Sequence, residues 1–311
     1  MHPAFLASAK TVQHAVSGLP TPVAAAICII GGTMSIAVMD AVVKYLSVSL
    51  AITQIAWVRF VVQGAALAMI AMIAHPATTR RILVTRRPML QAFRAICILG
   101  STLAFFAAIR HISLAQANAI AFAAPFMITA MSAFILGERV GWRRWAAVAV
   151  GFIGVVIVIR PGVEAFHWAL ALPLVMAVLS AAYHVTTPIL ARTENPANSL
   201  YYAAGLGIVV LGFVMPTVWI TPSGLEAALL GAVGLLGVLG HFLLILGFRA
   251  AQASLLSAFL YLHLVWAILL GLVAFGDYPD AATLIGAGII VASGIYVLSR
   301  ERRAKAAHDR S

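Results

Sequence analysis

Long apolar runs alternate with short polar segments along almost the whole chain. A helix needs roughly 20 mostly apolar residues to cross the hydrocarbon core of a bilayer, and ten runs of about that length occur here. Lipid offers no partner to a bare backbone N–H or C=O group, so each run is expected to be helical. The predicted spans are 22–45, 50–74, 89–110, 113–136, 143–160, 168–190, 197–219, 225–248, 253–275 and 280–299.

Composition and charge agree with a membrane protein. Of the 311 residues, 63% are hydrophobic and 9% are charged, whereas soluble domains carry about 25% charged residues. Most lysines and arginines fall at alternate ends of the spans, and this bias predicts that both termini are cytoplasmic. The net charge of +11 then reflects contact with anionic membrane lipids, and no nucleic-acid partner is expected.

The two halves of the chain carry similar signals. Span four ends at Gly137-Glu138, and span nine ends at Gly276-Asp277, 139 residues further along. An odd number of spans in each half makes the second half insert upside down, as in many secondary transporters. The predicted fold is an all-α membrane protein with ten transmembrane helices in two inverted five-helix repeats, 22–160 and 161–299. Residues 1–21 would be a cytoplasmic N-terminal segment, and 300–311 a basic cytoplasmic tail.

Several placed residues carry a resemblance to a known family. They are Asp40 and Lys44 near the end of span one, Gln54 to Arg59 in span two, Arg94 in span three, Pro125 in span four, Gly137-Glu138 after it, and Gly151, Gly154, Gly286, Gly288 and Gly294 in spans five and ten. In this order and spacing the chain resembles the drug/metabolite transporter superfamily, in its ten-helix EamA branch. The resemblance covers roughly residues 22–300.

The resemblance implies a function. It suggests a secondary transporter that moves small amphipathic metabolites across the bacterial inner membrane by alternating access, most similar to exporters of aromatic amino acids. One alternative is a carrier of a larger metabolite such as S-adenosylmethionine or riboflavin. A non-transporting membrane enzyme or scaffold is the alternative from another class.

Charged residues inside spans are costly and usually face the protein interior or water. Asp40 and Lys44 have the i, i+4 spacing that permits pairing on one helix face. Arg59 lies at a similar depth in the next span, so Asp40 is expected to pair with Lys44 or with Arg59. Such a pair would hold spans one and two together. The alternative is that Arg59 acts as a gate or contacts a carboxylate of the substrate.

At the predicted cytoplasmic surface, Arg94 opens span three and Glu138 ends span four. We expect a structural clamp between these two side chains.

Histidines and aromatic residues indicate a cavity for an amphipathic ligand. Rings combined with a few polar groups suit such a ligand, and three histidines lie six or more residues from either end of their spans. The residues expected to line the cavity are Tyr183 and His184 in span six, His241 in span eight, Tyr261, His263 and Trp266 in span nine, and Phe122 and Pro125 in span four. Pro125 and Pro188 should interrupt their helices, because proline removes a backbone hydrogen bond.

Several motifs are missing from the sequence. It lacks the Gly-rich phosphate loop of an ATPase and the nucleophile or zinc motifs of membrane hydrolases. We therefore expect no enzymatic activity, no cofactor, no metal and no ATPase subunit within the chain. Cys28 and Cys97 both fall inside spans and are expected to be buried free thiols.

Overall fold

The computed structural model describes residues 21–73, 85–138, 140–161, 167–191, 197–250 and 257–308. Regular structure in these ranges is helical throughout, with no strand. Ten helical spans follow one another: α1 (Thr21–Leu46), α2 (Ile52–Ile73), α3 (Pro88–His111), α4a (Leu114–Ala121) with α4b (Ala124–Ile135), α5 (Trp142–Ile159), α6a (Trp168–Leu170 as a 3-10 turn, then Ala171–Val185) with α6b (Thr187–Ala191), α7 (Ala197–Val218), α8 (Gly224–Ala250), α9 (Ser257–Tyr261 as a 3-10 turn, then Leu262–Phe275) and α10 (Ala281–His308).

The helices match the predicted spans. Within the described ranges, eight are long and apolar enough to cross a bilayer, and α9 and α10 supply the shorter apolar stretches Phe259–Phe275 and Ala281–Val297. The all-α, multi-pass membrane class is therefore confirmed. Helix α10 continues to His308, beyond the predicted end of span ten. Residues 1–20, which make up most of the predicted N-terminal segment, residues 74–84, which include most of the predicted cytoplasmic loop 75–88, and the last three residues lie outside the described ranges.

Helices break where the sequence places proline. Span four stops at Ala121 and restarts at Ala124, with Pro125 in the first turn of α4b. Proline fits there because its missing N–H would have no partner in a first turn. Span six breaks at Thr186, one residue before the short helix that contains Pro188. The predicted interruptions of spans four and six are confirmed.

Glycine ends two helices in the same way. Gly137 follows α4b with φ of +68°, and Gly276 follows α9 with φ of +67°. This left-handed conformation closes a helix by satisfying its last carbonyl groups, and glycine adopts it without a steric penalty. The turn signals detected in the sequence therefore mark real helix ends.

Helices from the two halves of the chain pack against each other. Helix α1 packs on α8 and α9, α3 on α6 and α7, α2 on α7 and α8, α5 on α10, and α4 on α6 and α9. Backbones approach closely at two glycine pairs. A Cβ added to Gly32 would lie 3.0 Å from the carbonyl oxygen of Gly240. A Cβ added to Gly154 would lie 2.8 Å from the carbonyl oxygen of Gly286.

The bundle has two ends, which we name by the charged residues near them. The Lys44 end holds the short connections 47–51, 112–113, 219–223 and 276–280, together with Arg160. The Arg94 end holds residues 85–87, 136–138 and 140–141 and the last turn of α6. The site described below lies between these ends.

Candidate functional site

Asp40 is the buried carboxylate of the described part of the chain, with 3% of its surface exposed. Its Oδ2 lies 3.3 Å from Nε2 of His263. Asp40 lies six residues before the end of α1, and His263 lies in the first turn of the regular part of α9. The packing of α1 on α9 therefore brings together two ionisable groups that are far apart in sequence.

Lys44 does not pair with Asp40, which corrects one of the two predicted partners. Its ammonium group donates to Oδ2 of Asp277 at 2.8 Å and to the carbonyl oxygen of Ile112 at 2.9 Å. It also lies 5.3 Å from the ring centroid of Phe275. Lys44 thus connects α1 to the ends of α3 and α9 at the Lys44 end.

Arg59 lies near Asp40 without a direct salt bridge. The two groups attract each other electrostatically, but no ion pair shorter than 4.0 Å joins them within the described ranges. Nη1 of Arg59 donates to Thr102 at 3.3 Å, and no described residue accepts from its Nε. The guanidinium carbon lies 5.5 Å from the ring of Phe60 and 5.9 Å from that of Phe106.

His241 is the fourth ionisable group in this region. Its Nδ1 is 2.8 Å from the carbonyl oxygen of Gly237, one turn earlier in α8. A carbonyl only accepts, so Nδ1 carries the proton, and Nε2 is the acceptor of the neutral ring. His241 is exposed although it lies well inside α8, and it interacts electrostatically with the positive charge of Arg59. We call Asp40, Arg59, His241 and His263 the Asp40 cluster.

Two aromatic rings meet at the breaks of spans four and nine. Phe122 follows α4a and Tyr261 ends the 3-10 turn of α9; their ring centroids are 5.0 Å apart and their planes differ by 28°. The Tyr261 hydroxyl occupies the notch left by Gly294, because a Cβ there would overlap it. Both predicted cavity residues therefore lie side by side between the two halves.

The remaining predicted residues of spans four and nine are nearby in sequence but differ in surroundings. Trp266 lies one turn after His263 on α9, and its buried indole N–H has no acceptor among the described residues. Pro125 is exposed at the start of α4b.

Arg94 holds the break in span six, and the predicted clamp with Glu138 is wrong. Nη1 of Arg94 donates to the carbonyl oxygen of Tyr183 at 2.8 Å and to the hydroxyls of Thr186 and Thr187 at 3.0 and 2.9 Å. The guanidinium lies 3.9 Å from the Tyr183 ring centroid, and Glu138 is exposed. Arg94 is drawn to α6 because breaking the helix leaves acceptors that need a donor.

His184 does not join the other histidines. Its ring packs edge-on against Tyr183 at 5.3 Å, and it feels the charge of Arg94 rather than that of Arg59. Most of the predicted residues therefore fall into three groups: the Asp40 cluster, the Phe122–Tyr261 stack and the Arg94 region, which holds Arg94, Tyr183 and His184. The sequence predicted one shared cavity for the three histidines; the contacts place His184 in the Arg94 region.

Further polar contacts join the connections at the Lys44 end. Asp280 pairs with Arg160 and accepts from the backbone N–H of Thr283 at 2.8 Å. Partial burial opposes ionisation of Asp280, but Thr283 and the Arg160 guanidinium outweigh it and hold the pKa of Asp280 below its ordinary value. Gln54 exchanges two hydrogen bonds with the backbone of Ile220, at 2.8 and 3.0 Å.

Sequence reasoning missed two partners. Thr102 is the hydrogen-bond acceptor of Arg59, and Asp277 neutralises Lys44. Asp277 carries a signal, since it follows the glycine that ends span nine. Thr102 carries none, because a hydroxyl in an apolar helix is common and its partner is remote in sequence.

Comparisons with known proteins agree with this architecture. Residues 23–160 match the EamA-like transporter family. A solved crystal structure shares the fold, with a TM-score of 0.60 and 20% identity over 89% of this chain and 98% of that chain. The eight long apolar helices and these matches identify a multi-pass membrane transporter.

Curated relatives are transporters of small molecules. An S-adenosylmethionine uptake transporter of Rickettsia felis is 28% identical over 85% of this chain and 89% of its own length. A riboflavin transporter of Rhizobium johnstonii is 31% identical over 64% of this chain and 67% of its own. A pseudopaline exporter of Pseudomonas aeruginosa is 25% identical over 87% of this chain and 94% of its own. With these relatives and the family match, the chain belongs to the EamA-like transporter family.

Proposed function

We propose that the protein is an alternating-access carrier for a larger amphipathic metabolite, with S-adenosylmethionine as the first candidate and riboflavin as the second. The expected aromatic amino acid substrate finds no support among the relatives, whereas the larger metabolites of the alternative do. Uptake is the proposed direction, since the S-adenosylmethionine relatives are uptake transporters.

Two inverted repeats, 22–160 and 161–299, are the proposed moving units. Suppose that each helix is exchanged for its equivalent in the other half, so that α1–α5 and α6–α10 trade places in order. The packing of α1 on α8 then becomes the packing of α6 on α3, and both contacts occur in the structure. The same exchange turns α2 on α8 into α7 on α3, and α1 on α9 into α6 on α4; these contacts also occur. Such a pattern supports a twofold relation between the halves.

Individual residues support the same relation. Equivalent positions in the two halves lie 139 residues apart in sequence. Phe122 is then equivalent to its stacking partner Tyr261, and Gly137 is equivalent to Gly276, which has the same left-handed conformation. In the packing of α5 on α10, the Ser293 hydroxyl bonds the carbonyl oxygen of Ala147. The position equivalent to Ala147 in the second half is Gly286, and the position equivalent to Ser293 in the first half is Gly154. These two glycines also form a close contact between α5 and α10.

We propose a bacterial inner-membrane location with both termini in the cytoplasm, as the positive charges predict. The Lys44 end then faces outward, and the Lys44–Asp277 pair is an outer gate. Thr78, in the loop outside the described ranges, should resist an impermeant thiol reagent in intact cells when changed to cysteine. Ser223→Cys at the Lys44 end should react. Reaction only at position 78 would reverse the orientation and the gate.

The observation that carries the substrate proposal is the state of Arg59. Arg59 is half-buried, its guanidinium has one direct partner at 3.3 Å, and its Nε has no acceptor among the described residues. Donors therefore remain available for an anionic group. The carboxylate of S-adenosylmethionine is such a group, and Arg is well suited to bind it. Aromatic residues Phe122, Tyr261 and Trp266, with His263 and His241, are proposed to contact the heteroaromatic ring and the rest of the ligand. Tyr183, His184, Arg94 and Glu138 are proposed to act at the inner end.

The test is counterflow in proteoliposomes of pure protein. Liposomes preloaded with one unlabelled compound are diluted into labelled S-adenosylmethionine, riboflavin, phenylalanine or tryptophan. We expect saturable exchange of S-adenosylmethionine that an excess of phenylalanine does not reduce. Exchange restricted to the aromatic amino acids would restore the first expectation, and no exchange of any compound would count against a carrier for this class.

A further inference from the structure

We propose that Asp40 and His263 form a proton-binding site that couples substrate uptake to the proton gradient. The inference rests on the proposed function, because it concerns what drives the carrier. The sequence predicts Lys44 or Arg59 as the partner of Asp40, and His263 lies 223 residues away from Asp40. The fold places these two groups against each other.

An added proton can reside on either member of the Asp40–His263 pair, and in both cases the charge of the pair rises by one. At 3.3 Å between Asp40 Oδ2 and His263 Nε2, the imidazole and the carboxylate can share one added proton. Before uptake, a neutral His263 faces an ionised Asp40. After uptake, the pair holds one more proton, either as the carboxylic acid or as the imidazolium beside the carboxylate. No other bond is formed or broken.

Neighbouring charges decide what proton binding does. Helix α2 contributes Arg59, α8 contributes His241, and α9 contributes His263, while Lys44 on α1 is engaged by Asp277. The 3-10 turn of α9 adds the Tyr261 hydroxyl. Helix α3 contributes Thr102 to Arg59, and its charged residues, Arg94, Arg110 and His111, lie towards its ends. Arg59 is therefore the permanent cation that Asp40 balances.

Charge balance couples the proton to an anionic group of the substrate. When Asp40 is ionised, it neutralises Arg59 across a region of low dielectric. When the pair takes up a proton, Arg59 loses that balance, and an uncompensated buried charge is costly. A substrate carboxylate restores the balance. Proton and carboxylate then bind together, and by linkage each raises the affinity for the other.

The experiment imposes a pH gradient on proteoliposomes that exchange S-adenosylmethionine. With an acidic exterior, coupling of one proton per substrate should raise internal accumulation up to about tenfold per pH unit, because one unit is a tenfold change in proton activity. Asp40→Asn and His263→Gln should abolish this response relative to their own counterflow rates. Asp280→Asn, which removes a carboxylate at the Lys44 end, is the matched control and should keep it.

A substrate-free measurement makes the site testable by itself. Infrared difference spectra of the purified protein, recorded between about pH 5 and pH 8, should show protonation within the pair, as a carboxylic acid or an imidazolium band. The band should vanish in both Asp40→Asn and His263→Gln and remain in Asp280→Asn.

The outcomes separate the two proposals. Counterflow of S-adenosylmethionine with no response to the gradient would overturn proton coupling and leave the carrier standing. A full gradient response in Asp40→Asn would also overturn it. If no compound exchanges, the carrier proposal fails, and absence of the pair's infrared band would then refute the proton site as well.

Discussion

The arginines inside α2 and α3 have contrasting surroundings. Arg94 gives three hydrogen bonds of 2.8–3.0 Å to α6 and stacks on Tyr183. Arg59 gives one of 3.3 Å to Thr102 and lies near, but not against, Asp40. Neither Nε has an acceptor among the described residues, so the contrast lies in Nη1: that of Arg94 completes a broken helix, whereas that of Arg59 makes a single long contact. The number and length of the Nη1 contacts, rather than location in a span, distinguish the two arginines.

Arg94→Met gives the sharpest test of the structural side. It removes the donor for the backbone oxygen of Tyr183 and for two hydroxyls, and bonds to charged donors contribute about 1.5–3 kcal/mol each in soluble proteins. We expect a loss of about 3 kcal/mol or more, seen as a large drop in melting temperature and in membrane yield. Arg94→Lys, which retains a charged donor, should recover part of it. Normal stability of Arg94→Met would remove the contrast between the two arginines.

Arg59→Gln probes the functional side and should change flux more than stability, because the proton shared by Asp40 and His263 can then neutralise Asp40. Losing one charge-assisted contact to a carboxylate corresponds to about a 10- to 100-fold lower uptake of S-adenosylmethionine. Riboflavin has no carboxylate, so any riboflavin exchange should fall much less. The comparison to make is the ratio of the two rates in proteoliposomes, with melting temperature recorded alongside. A melting temperature lowered as far as in Arg94→Met would assign Arg59 a structural role.

Single hydroxyl deletions refine the contrast. Thr186→Val removes one of three acceptors from Arg94 and should cost about 1 kcal/mol. Thr102→Val removes the hydroxyl that Arg59 bonds at 3.3 Å and should cost less, because that bond is long. Thermal unfolding of the two variants in the same detergent measures the difference. The reverse order would mean that Thr102, rather than the substrate, satisfies Arg59.

Arg160 at the Lys44 end should give the smallest effect. Its partner Asp280 is 44% exposed, and such pairs contribute well under 1 kcal/mol. Because folding lowers the pKa of Asp280, the stabilisation is present above the ordinary aspartate value and is lost as pH falls through the lower folded value. Asp280→Asn should remove this small stabilisation, well under 1 kcal/mol, at neutral pH and flatten the acid-side loss in melting curves. A loss of neutral-pH stability as large as that of Thr186→Val would contradict a surface role.

Helix positions and ends were predictable because they depend on local signals. Apolar length defined the spans, proline marked the breaks before Pro125 and Pro188, and Gly137 and Gly276 marked two helix ends. Side-chain partners were not predictable, because each depends on which helices pack together. The i, i+4 rule favoured Lys44 as the partner of Asp40. The packing of α9 on α1 instead places His263 against Asp40 and Asp277 against Lys44. Similarly, Arg94 donates to acceptors at the break of α6, and the sequence predicted the position of that break only approximately.

Close contact at the two glycine pairs has a consequence for mutational tolerance. Any substitution of Gly32, Gly240, Gly154 or Gly286 adds a Cβ atom. That atom would lie within about 3 Å of a backbone carbonyl oxygen on the opposite helix. Backbone cannot rotate away as a side chain can, so a saturation scan should reject all substitutions there as firmly as at a ligand contact. Gly288, whose Cβ would meet nothing within 4 Å, shares a helix with Gly286 and should accept alanine. In such a scan, intolerance at these four glycines reports the spacing of helices, and a binding site must be read from other positions.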